Sequence, residues 1–212
     1  TAGFMWQSVT RKSEKYRLEA KVTSFVPIQH NVEIMQVEIC NRSECKQNIT
    51  PTAAIPVFGR SADNIRDHRH VTSLLHRIRT TEYGVYVKPT LSFDERGHQK
   101  NELTYFVCGV TGSGDKPRDF YPIAEEYIGE GGTFTHPRSV IKNEAGVQAN
   151  CSFEGKEALG GIHFPEITLK PGECATYTVM MGVTEKEEDI ETILMEYNSK
   201  EKVEETLRHT TE

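Results

Sequence analysis

Between Arg60 and Arg79 the chain gathers five arginines (Arg60, Arg66, Arg69, Arg77, Arg79) and three histidines (His68, His70, His76). Only Asp63 and Asp67 oppose them, in a chain whose formal net charge is −6. A guanidinium offers five N–H donors in a rigid plane, which suits phosphate, carboxylate and paired sugar hydroxyls. A basic, histidine-rich island in an acidic chain therefore invites an anion, a sugar or an acidic surface. The competing reading is a polar connector whose Arg–Asp pairs satisfy one another. Asp67-His68-Arg69-His70 also carries two histidines at a spacing that shares one face of a strand. A structural metal takes four ligands, and no cysteine pair lies nearby, so no metal is assigned. The candidate binding residues are Arg60, Asp63, Arg66, Asp67, His68, Arg69 and His70, with no catalytic residue among them.

Something must hold that island in place, and length and composition bound what it is. A chain of 212 residues with 36% hydrophobic and 26% charged content has enough material for one domain with a sizeable core. It has no run of about 18 apolar residues, so no helical membrane span is expected. No P-loop, GxGxxG or GxSxG motif is present, and no βαβ alternation. Neither nucleic acid nor a membrane is expected as a partner. Five cysteines, an odd number without a CxxC, read as buried free thiols of a reducing compartment, and the N-terminus shows no signal segment.

Periodicity supplies the elements. Tyr16 to Val26 alternates apolar and polar residues as a half-buried strand does, and Pro27 closes it. In Val32 to Cys40 the apolar phase shifts between Ile34 and Val37, so the strand carries a bulge or is buried on both faces. Pro51 and Pro56 confine Ile49 to Phe58 to an edge or irregular strand. His70 to Ile78 fits a helix or a short strand equally well. Tyr83 to Phe93 and Leu103 to Thr111 are strands, joined by a loop from Asp94 to Asn101. Phe120 to Pro137 reads as a long irregular loop, the kind that tends to bind or pack. Ala175 to Val183 is a further strand. Then the texture becomes helical: Thr184 is the expected N-cap, and Ile190, Ile193, Leu194 and Tyr197 form one apolar face. A second helix starts at Ser199, with Val203 and Leu207 on its apolar face. About eight strands followed by helix predict a mostly β, antiparallel sandwich over residues 1–184 and a helical linker over 185–212.

The run PTAAIPVFGRSADNIRDHRHVTSLLHRI closely resembles the N-terminal sandwich domain of the inverting glycoside phosphorylases, glycoside hydrolase family 94. Its members include cellobiose, chitobiose, cellodextrin and β-1,2-oligoglucan phosphorylases. Tyr127-Ile128-Gly129 and Pro137 fit the family as well, whereas Ala124-Glu125-Glu126 and Glu130 put glutamates where basic residues are often found. The segments Glu157-Ala158-Leu159-Gly160-Gly161, Leu169-Lys170-Pro171-Gly172-Glu173 and Met181-Gly182-Val183 resemble the domain's closing strands. The resemblance implies a galactose mutarotase-like super-β-sandwich, with its first strands missing before Thr1. Its C-terminal linker would lead to an (α/α)6 barrel that holds the catalytic aspartate. It further implies a cytoplasmic homodimer and a disaccharide or oligosaccharide substrate. Inorganic phosphate would be co-substrate, with no other cofactor. These residues alone are then expected to be inactive. The rivals are a stand-alone sugar-binding module and a mutarotase-like epimerase, the latter needing a histidine and a carboxylate in one cleft. His68, His70 or His163 with Glu157 would have to supply them.

Overall fold

The structure, a computed structural model, describes residues 1–59, 69–94 and 97–211. Sixteen strands and five helices follow one another among these residues, twice the strand count that periodicity predicts. The first six strands are β1 (Ala2–Gly3), β2 (Trp6–Ser13), β3 (Leu18–Phe25), β4 (Val32–Asn41), β5 (Gln47–Ile49) and β6 (Thr52–Val57). After helix α1 (Arg69–Leu74) come β7 (His76–Thr80), β8 (Gly84–Pro89), β9 (Leu91–Asp94), β10 (Gly97–Lys100), β11 (Thr104–Thr111) and β12 (Asp119–Ile123). Two short helices, α2 (Ala124–Ile128) and α3 (Arg138–Ile141), precede β13 (Ser152–Glu154), β14 (Ala158–His163), β15 (Ile167–Leu169) and β16 (Cys174–Thr184). Helices α4 (Glu187–Glu196) and α5 (Lys200–Thr211) complete the described chain.

One antiparallel sheet of nine strands, ordered β1-β2-β3-β4-β16-β11-β8-β7-β13, is the frame. A three-stranded sheet, β12-β14-β6, packs on one of its faces. The pleat divides the centre of the frame into two cores. On β11, Phe106, Cys108 and Val110 join Phe25, Ile34 and Met180 on one face, where Ile190, Ile193, Tyr197 and Val203 of the helices cover them. Val107 points the other way, to Ile162, Phe164, Tyr177 and Val179 between the sheets. Burial on both faces is why β11 reads as an almost continuous apolar run. The sheets approach closely at Gly160, where a Cβ would stand 2.4 Å from the Val107 side chain. No larger residue fits there without moving β11.

The mostly β antiparallel super-sandwich with C-terminal helices is thus the fold. Several details differ from the sequence reading. Phe120 to Pro137 is not an irregular loop. It begins inside β12, whose five residues are all buried, and continues into α2. Pro122 and the polar Asp119 disguise that strand, which bends at a register shift between Tyr121 and Ile123. The link from Asp94 to Asn101 contains the β9–β10 hairpin. Strand β4 pairs without interruption to β3 and β16, so the phase shift reflects burial on both faces and not a bulge. His70 to Ile78 is both alternatives in turn, helix α1 and then strand β7. Pro56 sits on β6, an edge strand as expected.

Not all the cysteines are free. Cys40 and Cys174 face each other across β4 and β16 and form a disulfide, with Cys45, Cys108 and Cys151 as thiols. The pairing escaped the sequence because 134 residues separate the partners and only the strand register joins them. Thr184 does not cap α4. Its Oγ accepts from the Lys186 N–H at 3.1 Å and donates to Asp189 Oδ2 at 2.9 Å, a turn just ahead of the helix. Ser199 does cap α5, accepting from the Lys202 N–H at 3.4 Å. The apolar faces of α4 and α5, expected to await a partner, are spent on the sandwich itself. No helix among the described residues is long and apolar enough to cross a membrane.

Candidate functional site

The candidate loop leaves β6 and enters α1, so it crosses from the small sheet to the frame. Arg60, Asp63, Arg66, Asp67 and His68 lie outside the described residues. Arg69 and His70 form the first turn of α1, and the description there is of their backbone. The ground from which the loop springs is described. Gly59 packs so tightly that a Cβ would lie 2.2 Å from the Pro89 ring, and this close approach fixes where the loop departs. Phe58 and Leu74 are exposed at its two feet, and Phe134 of the segment after α2 is exposed beside them. Between them a cavity of about 20 Å³, lined by Thr72, Ser73, His76 and Glu157 among others, has room for about one water.

The second half of the basic window is structural. Arg77 lies 3.5 Å from Glu154 Oε1 and donates to the His76 carbonyl at 3.1 Å. Arg79 bonds Glu187 at 2.5 Å and lies 5.2 Å from the centre of the Tyr86 ring. His76 is a core histidine whose Nδ1 is 3.2 Å from the Lys156 carbonyl. These three residues are structural, but through Glu154, Glu187 and the core and not through the Arg–Asp pairs of the polar-connector reading.

The structure assembles a second group that the sequence did not pair. Antiparallel register sets Asp119 of β12 directly opposite His163 of β14. His163 Nδ1 lies 2.7 Å from Asp119 Oδ1, with both side chains 3% exposed. Arg118 Nε donates to Asp119 Oδ2 at 2.8 Å, and Arg118 Nη2 lies 2.8 Å from the imidazole. The Tyr121 ring stacks on His163 with centroids 5.3 Å apart, and its hydroxyl donates to the Glu144 carbonyl at 2.5 Å. Burial pushes the His163 pKa below its ordinary value, and the Arg118 charge adds to this while Asp119 opposes it. Burial likewise raises the Tyr121 phenol to about 12. The result is an imidazole of lowered pKa, buried against Tyr121 on the face of β12 and β14 that is turned away from the frame. It ties the segment after α3 to β12 and β14, and it is closed to a substrate. The signal for it was an aspartate at the head of a buried apolar run, which demands a partner.

That arrangement also bears on epimerase chemistry. Glu157 precedes β14 and His163 ends it, so six residues of extended chain, roughly 20 Å, separate them. They do not share a cleft. Among the described residues, Glu38, Cys40 and Cys174 bring potential metal ligands within 4.8 Å of one another. Both sulfurs there are consumed by the disulfide.

A sheet-on-sheet core with helices on the far face defines a supersandwich. The supersandwich domain of glycosyl hydrolase family 94 matches residues 3–200, and the chain belongs to that family. No curated protein matches it. Among solved structures it is similar to a polysaccharide lyase at 12% identity and a TM-score of 0.48. That match covers 88% of this chain and 23% of the lyase, so the chain spans under a quarter of that protein's length.

Proposed function

We propose that this domain serves an inverting glycoside phosphorylase. The intact protein would cleave a β-glucoside with inorganic phosphate and release an α-sugar 1-phosphate. The observation that carries the reading is the match to the family 94 supersandwich over residues 3–200. In that chemistry a carboxylic acid protonates the glycosidic oxygen as the C–O bond breaks. A phosphate oxygen takes the anomeric carbon from the opposite face, in the place an inverting hydrolase gives to water. The acid belongs to an (α/α)6 barrel, and the sandwich contributes packing on that barrel, contacts between two copies and carbohydrate binding. Arg60, Arg66 and Arg69 donate to sugar hydroxyls or phosphate, Asp63 and Asp67 orient them or accept from hydroxyls, and His68 and His70 flank the site. The protein acts in the cytoplasm, and phosphate is its only co-substrate.

The test joins this domain to a family barrel and offers cellobiose, a β-1,2-linked glucose disaccharide or chitobiose with inorganic phosphate. Sugar 1-phosphate of α configuration, seen by proton and phosphorus NMR, is expected. Arg66→Ala or Arg69→Ala should lower kcat/KM about 10- to 150-fold, the worth of one charge-assisted contact, with the melting temperature nearly unchanged. Release of free sugar without phosphate consumption would overturn the reading.

A further inference from the structure

Helix α4 does not close fully over the frame. A cleft of about 430 Å³ remains between α4, the turn from β7 to β8 and the end of β11. That volume falls in the range of about 300–1,000 Å³ occupied by small-molecule sites. Tyr83, Leu194 and Met195 give it an apolar wall, and Met195 is 69% exposed, unusual for so large an apolar side chain. Asn150, Asn198 and Glu191 line the polar part.

These polar groups have capacity to spare. Glu191 makes no hydrogen bond or ion pair among the described residues, while its neighbour Glu187 is neutralised by Arg79. Asn198 Oδ1 accepts from Lys202 Nζ at 3.1 Å, and its amide N–H groups stay available. The Asn150 amide also makes no bond to the described residues, and its backbone, at φ 68°, is fixed by bonds between β7 and the segment before β13. The Arg79–Glu187 pair over Tyr86 holds α4 at its distance from β7, so the cleft is propped open by contacts rather than left by loose packing. Apolar side chains interleaved with two amides and a carboxylate match a pyranose. One side of the sugar ring presents C–H groups. Its rim of hydroxyls both donates and accepts, as amides do, and a carboxylate accepts from two neighbouring hydroxyls. An anion is disfavoured, since Arg79 and Lys116 are taken up by Glu187 and Glu82, which leaves Glu191 as the uncompensated charge at the rim.

We propose that this cleft holds one or two pyranose units of a β-linked gluco-oligosaccharide. The proposal rests on the carbohydrate reading above and gives the sandwich a binding site of its own. The experiment is an NMR titration of the 212-residue protein with cellotriose, up to 20 mM. Saturating shifts at the amides of Tyr83, Gly114, Asn150 and Glu191 are expected. Glu191→Ala and Tyr83→Ala should each weaken binding at least fivefold. Tyr83→Phe keeps the ring and should retain it, which separates lost contact from lost packing. Glu125→Ala, on α2, should change nothing. Shifts that never saturate, that map elsewhere, or that survive Glu191→Ala unchanged overturn the proposal. None of these outcomes bears on phosphorolysis by the barrel-joined protein, so this inference can fail while the proposed function stands.

Discussion

The two faces of the nine-stranded frame are covered in different ways. The β12-β14-β6 face meets strands and comes close enough to require Gly160, and the small sheet buries an ionisable group, Asp119–His163, on its own outer side. The other face meets helices. Long side chains such as Phe106, Met180, Ile193 and Tyr197 fill the wider gap there, and a cleft persists at its edge. Its cross-links include His30 with Glu196 at 2.6 Å and Arg79 with Glu187 at 2.5 Å, both left partly exposed. Strand-on-strand packing is tightest where Gly160 meets Val107, while helix-on-strand packing leaves a cleft lined by polar groups with capacity to spare. Rigidity and binding capacity are divided between the faces.

The sharpest way to break that division is Asp119→Ala. It leaves His163 and Arg118 facing an empty buried site, and loss of one member of a buried pair costs about 3–5 kcal/mol. Urea unfolding should show this as a lower midpoint with an unchanged slope. A loss below about 1 kcal/mol would mean the sealed face is no more rigid than the other.

Ile193→Ala tests the helix face. The residue is 3% exposed, and truncating a buried isoleucine costs about 2–5 kcal/mol. If α4 is part of the same cooperative unit, helix and sheet signals should fall together at a lower denaturant concentration. Loss of helical signal while the tertiary aromatic signal persists would show that α4 melts alone and that the faces are energetically independent.

The smallest effect is a pH dependence confined to the sealed face. His163 has a folded pKa below its unfolded value near 6.5, so the unfolded state binds the proton more tightly. Its contribution is therefore fully present above pH 6.5 and declines as pH falls from there toward the folded value. The slope is at most about 1.4 kcal/mol per pH unit. Wild-type stability should drop between pH 7 and 5, and His163→Gln should flatten that segment of the profile. An unchanged slope in the variant would assign the dependence to other groups.

Which parts of this could be seen in the chain beforehand follows from the range of the interactions. Strands β3, β8, β11 and β16 announced themselves because alternation and apolar runs are local. The helices did too, down to the apolar positions Ile190, Ile193 and Leu194. Strand β12 did not, because Asp119 and Pro122 speak for a loop until β14 lies alongside. The destination of the helical faces was equally hidden: a stripe of leucine and isoleucine states that it must be covered, not by what. The arginine window was legible as a cluster but not as two parts, for the fates of Arg77 and Arg79 were decided by Glu154 and Glu187, 77 and 108 residues away. The Asp119–His163 contact spans 44 residues, and the cleft under α4 draws on four separate stretches of chain.

The place of β16 in the sheet has a consequence for the cell. It lies between β4 and β11, the last strand of the chain at the centre of the frame. Until it arrives, the earlier strands form two half-sheets with no hydrogen bond between them, each with a long edge ready to pair with a stranger. A ribosome adding about 5–20 residues per second needs roughly 7–27 s to travel from the end of β4 to the start of β16. For that interval the edge of β4 stays open, joined by that of β11 once Thr111 has been added, and the keystone is missing. Pausing or truncation upstream of Cys174 should therefore divert it to aggregates, and a chaperone that shields strand edges should be felt most just before that point.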